Sequence, residues 1–207
     1  SVSLAKLTAT GTKDATTFLR GDNTFAEAGG GDFVLIKTQT VALGDGIANV
    51  DFVHGTSSVV FDGTYKSYKF ILRNFTPANG IDINAQVMLS GTVQTSGYIT
   101  RSWRSYYSGG NDGSNSTSVI AFGNYGMLGS NTVNQSVGYG EFMCGNPTYN
   151  GYPEMMSHHS GGENSQKIVS ICAGKLQTTT SNWNGVRFKT SDGSNFAGEI
   201  SLYGIKG

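Results

Sequence analysis

The residues best suited to recognition in this 207-residue chain are uncharged. Tyr149, Tyr152 and Trp183 stand in turn-like contexts beside Asn146, Asn150, Asn182 and Asn184. An aromatic ring covers the apolar face of a sugar and a carboxamide bonds its hydroxyls, so this composition fits a saccharide site. It fits a subunit interface equally well, and the residues alone leave both readings open. Asn111 and Asp112 lie in a second polar run, Ser108 to Ser116, too rich in glycine and serine to stabilise anything by burial. The stretch from Asn146 to Asn164 is longer than the ordinary connection of about 4–6 residues. Binding residues concentrate on loops held by a rigid scaffold. Tyr149, Tyr152, Asn146, Asn150, Asn111, Asp112 and Trp183 are therefore the candidate ligand-binding set.

Charged chemistry is sparser. His158-His159 with Glu154 and Glu163 has the residue types of a metal centre. Adjacent residues of an extended segment point to opposite sides, however, and the spacing matches no zinc pattern. Two solvated loop histidines are the plainer reading; one histidine from each chain of a trimer is the other. No metal or cofactor is expected. A glycosidase needs two carboxylates about 5–9.5 Å apart. Asp45, Asp51, Asp62, Asp82, Glu141, Glu154, Glu163 and Glu199 are available, but most sit in turns such as Asp62-Gly63, where local backbone bonding accounts for them. No Gly-x-Ser-x-Gly elbow and no phosphate-cradling Gly-Lys-Ser/Thr loop occurs. The expectation is a non-catalytic protein. Arg20-Gly21-Asp22 spells an adhesion tripeptide, inside a turn that has its own structural reason.

Positioning such residues falls to strands. Tyr68, Phe70 and Leu72 alternate with Lys69, Ile71 and Arg73 across 66–76, the strongest two-residue period in the chain. Ile83, Ala85, Val87 and Leu89 give a second inward face, and the Pro77-Ala78-Asn79-Gly80 turn between them predicts an antiparallel hairpin. Further strands are predicted at 33–38, 47–53, 57–61, 97–107, 118–123, 137–144, 167–173, 185–190 and 197–205. In 97–107, Trp103 shares a face with Ile99 and Tyr107, which predicts a core position for it. Short strands with turns every 8–12 residues and no helical period mark a sandwich or barrel. No internal repeat is present.

Composition narrows the partners. Glycine accounts for 30 residues and proline for 3, which favours tight turns between short strands. Charged residues make up 14% and the formal net charge is zero, with no Lys/Arg cluster for phosphates, so nucleic acid is not an expected partner. No apolar run approaches the ~18 residues of a membrane span, and no basic end followed by an apolar run suggests a signal peptide. Cys144 and Cys172 sit in apolar strand-like contexts and read as buried free thiols of a reducing cytoplasm, with a disulfide as the alternative. The three N-x-Ser/Thr sequons, at Asn74, Asn115 and Asn134, are assigned no glycan.

The N-terminal stretch is built differently. Gly21 and Asn23 flank Asp22 in a predicted turn; Phe18, Leu19 and Phe25 are too apolar for water and too few for a core; and Gly29-Gly30-Gly31 makes a joint. Gly11-Thr12-Lys13-Asp14-Ala15-Thr16-Thr17-Phe18-Leu19-Arg20-Gly21-Asp22-Asn23-Thr24-Phe25 resembles a motif of bacteriophage tail-fibre and other virion proteins, with Asn23 and Phe25 where Gly and Trp are more usual. In those proteins the motif precedes a C-terminal head domain. The stretch Tyr65 to Phe75, the strand Ala85 to Ser90 and the closing Gly198-Glu199-Ile200-Ser201-Leu202-Tyr203-Gly204-Ile205 are similar to segments of the same head domains, in the same order. The resemblance implies a trimeric β-sandwich of a virion assembled in the host cytoplasm, and it carries over no catalytic residue.

The expected fold is thus all-β: an antiparallel, jelly-roll-like β-sandwich of about ten strands with an extended N-terminal arm. Residues 1–31 are expected to be an attachment arm and hinge, and 32–207 the sandwich. Phe18, Leu19, Arg20, Asp22 and Phe25 would serve attachment or trimer contacts. The expected function is the receptor-binding end of a tail fibre recognising a host surface glycan, as a homotrimer held to other virion proteins by its arm, without membrane insertion. The alternatives are a structural virion protein (a capsid fibre, decoration or adaptor) and, more remotely, a carbohydrate-active enzyme.

Overall fold

The computed structural model describes residues 8–12, 17–27, 31–77, 83–106, 109–121, 138–149, 151–161, 168–178 and 182–207. These form strands joined by turns, with a single three-residue 3-10 turn at Leu43–Asp45. In chain order the strands are β1 (Thr17–Leu19), β2 (Phe25–Glu27), β3 (Phe33–Val41), β4 (Asn49–Val53), β5 (Ser67–Pro77), β6 (Ile83–Leu89), β7 (Thr92–Val93), β8 (Tyr98–Tyr106), β9 (Asn111–Ser116), β10 (Ile120–Ala121), β11 (Gly138–Cys144), β12 (Glu154–Gly161), β13 (Ile168–Leu176), β14 (Gly185–Thr190) and β15 (Phe196–Ile205).

One sheet runs β3-β15-β5-β11-β12-β13-β8-β9, the other β10-β6-β14-β4 with β7 beside β6. All pairings between these strands are antiparallel. Set aside β7–β9 and β12–β13, and number the remaining sandwich strands from β3 to β15 in chain order. The first sheet then reads first-eighth-third-sixth and the second reads second-seventh-fourth-fifth. That order is a jelly roll, the double-sheet solution in which the chain wraps back and forth between two layers. The five remaining strands are insertions. β7 flanks β6, while β12, β13, β8 and β9 continue the first sheet past β11.

The core lies between the layers. Tyr68, Phe70 and Leu72 of β5 are buried, as their alternation predicts, and face Phe52, Val186 and Phe188 of the second sheet. Phe70 is the hub, with ring centroids 5.2 Å from Phe52, 5.0 Å from Phe188 and 5.9 Å from Phe142. Edge-on rings at these separations add about 0.5–1.5 kcal/mol per pair beyond area burial. Cys144 and Cys172 are buried free thiols, and burial pushes the Cys144 pKa up.

Five expectations are corrected. β5 and β6 do not form a hairpin: β5 pairs with β15 and β11, β6 with β14, β10 and β7. Successive strands of a jelly roll mostly cross between sheets, and Asn84, Gln86 and Met88 are buried as well, so β6 has no solvent face. Residues 57–61 are no strand, because Ser57 and Ser58 take left-handed φ of 48° and 67°. The polar run 108–116 holds strand β9 and the stretch 146–164 holds strand β12; both are imposed by pairing with neighbours rather than by propensity. Trp103 and Ile99 point outward, 48% and 54% exposed, while Tyr98 is buried on the opposite face.

The N-terminal stretch is a small hairpin rather than an extended arm. β1 pairs with β2, and the Asp22 carboxylate closes the turn by accepting from the Thr24 amide (3.1 Å) and hydroxyl (2.6 Å). Asn23 takes a left-handed φ of 62°. Thr10 runs alongside, its amide donating to the Asn23 carbonyl. Gly11, at φ 98°, packs so closely on the Phe25 carbonyl that a Cβ there would strike it. The Gly11, Asp22 and Thr24 positions of the motif thus have local mechanical roles. Phe18 and Leu19 remain about half-exposed.

Candidate functional site

The segment joining β11 to β12 shapes the candidate site. It leaves the sheet at Gly145 and turns at once, because the Asn146 side-chain oxygen accepts from the Thr148 amide (2.8 Å) and hydroxyl (2.9 Å). The Tyr149 amide donates to the Asn146 carbonyl and the Gly151 amide to the Tyr149 carbonyl. Buried Pro153 then returns the chain to β12, its carbonyl accepting from the Leu176 amide. The Asp62-Gly63-Thr64 turn is built on the same plan and abuts this loop. Asp62 accepts from the Thr64 amide (3.0 Å) and hydroxyl (2.6 Å), and these bonds lower the Asp62 pKa, the hydroxyl contributing most. Gly63 has a φ of 86°, and a Cβ on it would meet the Thr148 hydroxyl at 2.9 Å.

Gly145, Asn146, Tyr149, Gly151, Tyr152, Pro153, Glu154 and Trp183 enclose a pocket of about 400 Å³. Four of the candidate residues therefore meet in one concavity. Tyr149 is 75% exposed and Tyr152 partly so, with the Lys175 ammonium 4.8 Å over the Tyr152 ring. Trp183 differs from expectation. Its ring is buried against Phe61 (4.8 Å) and Tyr68 (5.8 Å), so it forms part of the pocket wall anchored in the core rather than a free stacking surface. The Asn146 oxygen is taken by Thr148, so its amide hydrogens are what it offers a ligand.

Asn150 lies outside the described residues. Asn111 and Asp112 do not join this pocket. They begin β9, paired to Ser105 and Arg104, whereas the loop adjoins the other end of the sheet, beyond the row of Cys144, Met155, Gly174, Thr100 and Ser116. Five residues of strand, about 17 Å, and three strand spacings separate them. Glu163 and Asp82 are likewise outside the described residues.

A wider cleft of about 940 Å³ shares Gly145 and Glu154 with the pocket. Met143, Met156, Ala173 and Ile99 supply apolar walls, Arg101 and Lys175 cations. Residue-by-residue alternation did not mark this cleft, because its lining comes from strands that sequence order keeps far apart.

The histidines fall on opposite faces, as an extended segment requires, but on a strand rather than a solvated loop. His158 is exposed, its Nε2 3.4 Å from a Glu141 oxygen. Burial opposes the Glu141 charge, yet hydrogen bonds from Lys69 (2.8 Å) and the Tyr139 hydroxyl (3.1 Å) outweigh it and hold the carboxylate below its ordinary pKa. His159 is buried, and desolvation, with a smaller contribution from His158, pushes its pKa down to about 3. Among the described residues no group of three or more His, Cys, Asp or Glu is arranged to hold a metal ion. The other carboxylates are structurally engaged: Asp51 takes a bidentate Arg187 at 2.7 Å, Asp45 accepts from the Ala42 amide, and Glu199 pairs with Arg73. Among the described residues lining either cavity, Glu154 is the single carboxylate.

No protein-family model matches the sequence, and neither does any curated protein.

Proposed function

We propose that this chain is a non-catalytic phage virion component, the receptor-binding end of a tail fibre, which binds a host surface glycan at the pocket of the β11–β12 loop. One observation carries the reading: Tyr149, Tyr152, Asn146 and Trp183 line the same 400 Å³ concavity. Exposed rings beside an anchored indole suit the apolar faces of a saccharide, and amide hydrogens suit its hydroxyls. Among the described residues lining the cavities, Glu154 is not accompanied by a second carboxylate of the kind acid–base glycoside cleavage uses. The hairpin motif at residues 11–25 supports the virion assignment. In this reading Phe18 and Leu19, half-exposed on the hairpin, contact other virion proteins, and the chain works as a homotrimer.

A glycan array probed with the labelled chain tests the site. Tyr149→Ala and Tyr152→Ala should each weaken binding of the selected glycan at least tenfold and reduce phage adsorption, with melting temperatures within a few degrees of wild type. A wild-type chain that binds no glycan, or variants that bind as well as wild type, would overturn the site. The alternative of a structural virion protein draws on a different observation, the apolar surface of β8 and β13, and would be favoured by the first of those outcomes.

A further inference from the structure

The outward face of β11, β12, β13 and β8 carries a cluster of apolar side chains flanked by charged ones, Glu141 and His158 on one side and Glu154, Lys175 and Arg101 on the other. Facing inward are apolar Phe142, Cys144, Met155, Cys172, Leu176 and Tyr98 together with Ser157 and His159 of β12, Ser170 of β13, and Thr100, Ser102 and Arg104 of β8, all buried. Facing outward are Met156, Val169, Ile171, Ile99 and Trp103, each about half-exposed. They are contiguous: Ile171 is directly opposite Trp103, and Met156 adjoins Ala173 and Met143 across the pleat. A solvated antiparallel face is ordinarily polar, so the apolar cluster on it stands out. Contiguous apolar patches of this kind mark interaction surfaces.

We propose that the outward face of β11-β12-β13-β8 is a self-association surface, buried against a second copy of this chain. The inference deepens the oligomer of the proposed function and rests on it. Four strands spaced about 4.8 Å apart and about seven to nine residues long cover roughly 20 Å by 30 Å, about 600 Å², at the lower end of the range around ~800 Å² per partner of a stable interface. The residue types are those of interface centres, tryptophan, methionine and arginine with β-branched aliphatics. The charge pattern suits a copy better than a foreign partner. Arg101, Lys175 and Glu154 stand at the cleft within this face, and none is in an ion pair among the described residues. Both signs are thus available for pairing across a homomeric contact, and a chain of 14 basic and 14 acidic residues carries no net charge to oppose association. The glycan pocket, which shares Glu154 and Gly145 with the cleft, then sits at the rim of the interface rather than beneath it.

Sedimentation velocity on the full chain at micromolar concentration should give a multiple of 21.9 kDa. Trp103→Glu combined with Ile171→Glu should reduce the mass to the monomer while the far-ultraviolet circular dichroism stays that of a β-protein. A separate variant, Val169→Cys, keeps the result readable if the double substitution fails to fold: its thiol should resist a maleimide in the associated protein and react after dilution to monomer. A monomeric wild-type chain would overturn the inference, as would an assembly untouched by the double substitution, or a Val169→Cys thiol equally reactive at both concentrations. Glycan binding is scored separately on the same samples. Its loss in an intact oligomer sinks the glycan site alone, and its survival in a monomeric wild type sinks the interface alone.

Discussion

His159 should make this fold sensitive to mild acid. The imidazole lies in the inward row Gly140–His159–Ser170–Arg104, where its neighbours on β11 and β13 are a glycine and a serine. Burial disfavours its charged form, and His158 next to it adds a smaller repulsion. The folded pKa is about 3, against 6.5 for a free histidine. Below pH 6.5 the unfolded chain therefore binds a proton that the folded chain refuses, so stability present above pH 6.5 is lost as pH falls toward 3. The loss approaches about 1.4 kcal/mol per pH unit and accumulates to about 2 kcal/mol between pH 7.5 and pH 5.0. The depressed carboxylates Asp22, Asp62 and Glu141 contribute their own acid losses at lower pH, which is why the comparison stops at 5.0. Urea unfolding of wild type and His159→Gln at both pH values isolates the term. Wild type should lose about 2 kcal/mol more than the variant over this range. Equal losses, or an NMR titration of the His159 ring with a midpoint above pH 5, would show that the side chain reaches solvent and refute the reasoning.

Phe70→Ala, at the centre of four rings, should cost about 3–5 kcal/mol in urea unfolding without altering the β-type circular dichroism. Gly63→Ala forces a Cβ onto a left-handed backbone and against Thr148; it should cost about 1–3 kcal/mol and also weaken glycan binding, because Thr148 fixes the Asn146 turn, whereas a substitution acting on stability alone would leave affinity unchanged. Removal of residues 1–31 should move the melting temperature of the sandwich by only a few degrees, since no described residue of that segment belongs to the central core cluster; a collapse of the melting transition would show the hairpin to be part of the folding unit.

Local rules were legible and long-range ones were not. The alternation of Tyr68, Phe70 and Leu72, the bounds of β14 and the Asx turns at Asp22 and Asp62 follow from side-chain period and backbone chemistry, and each is present as read. The aromatic and amide residues at 146–152 were legible as a candidate site because exposed rings beside carboxamides suit a neutral polar partner, although Asn146 also closes the turn through Thr148. Partners across sheets were not legible. The turn after β5 resembles a hairpin turn, and nothing local says that β6 enters the other layer. Trp183 misled because a tryptophan between asparagines reads as exposed, while its ring is fixed by Phe61 and Tyr68, residues more than a hundred positions away. Trp103 runs the opposite way: the two-residue period groups it with Ile99, and nothing local says that this face of β8 points outward while Tyr98 points into the core. β12, with two methionines, two histidines and two serines, has no strand propensity of its own and exists because β11 and β13 bracket it.

The inserted strands also explain how the sandwich ends. A bare eight-strand jelly roll would leave β11, with Tyr139 and Met143, as an edge whose unpaired amides and carbonyls invite further strands. The insertion between β11 and β14 supplies β12 and β13, the insertion between β6 and β10 supplies β8 and β9, and both add to that same edge. Loop insertions of this length carry a closure entropy that grows only slowly with length, so the core tolerates them. The edge that results is β9, Asn-Asp-Gly-Ser-Asn-Ser, which has no apolar side chain and a glycine at its middle. Among the described strands it pairs with β8 alone, and it offers a newcomer little to bury. The edge is thus polar throughout, whereas the broad face carries Trp103 and Ile171 half-exposed, the face proposed above for self-association. A hydrophobic substitution series on β9, starting with Ser114→Val and Ser116→Val, should therefore promote open-ended aggregation in light scattering, whereas changes on the β8–β13 face should alter only the size of a closed assembly. If the β9 variants stay as soluble as wild type, the composition of that strand has no protective role.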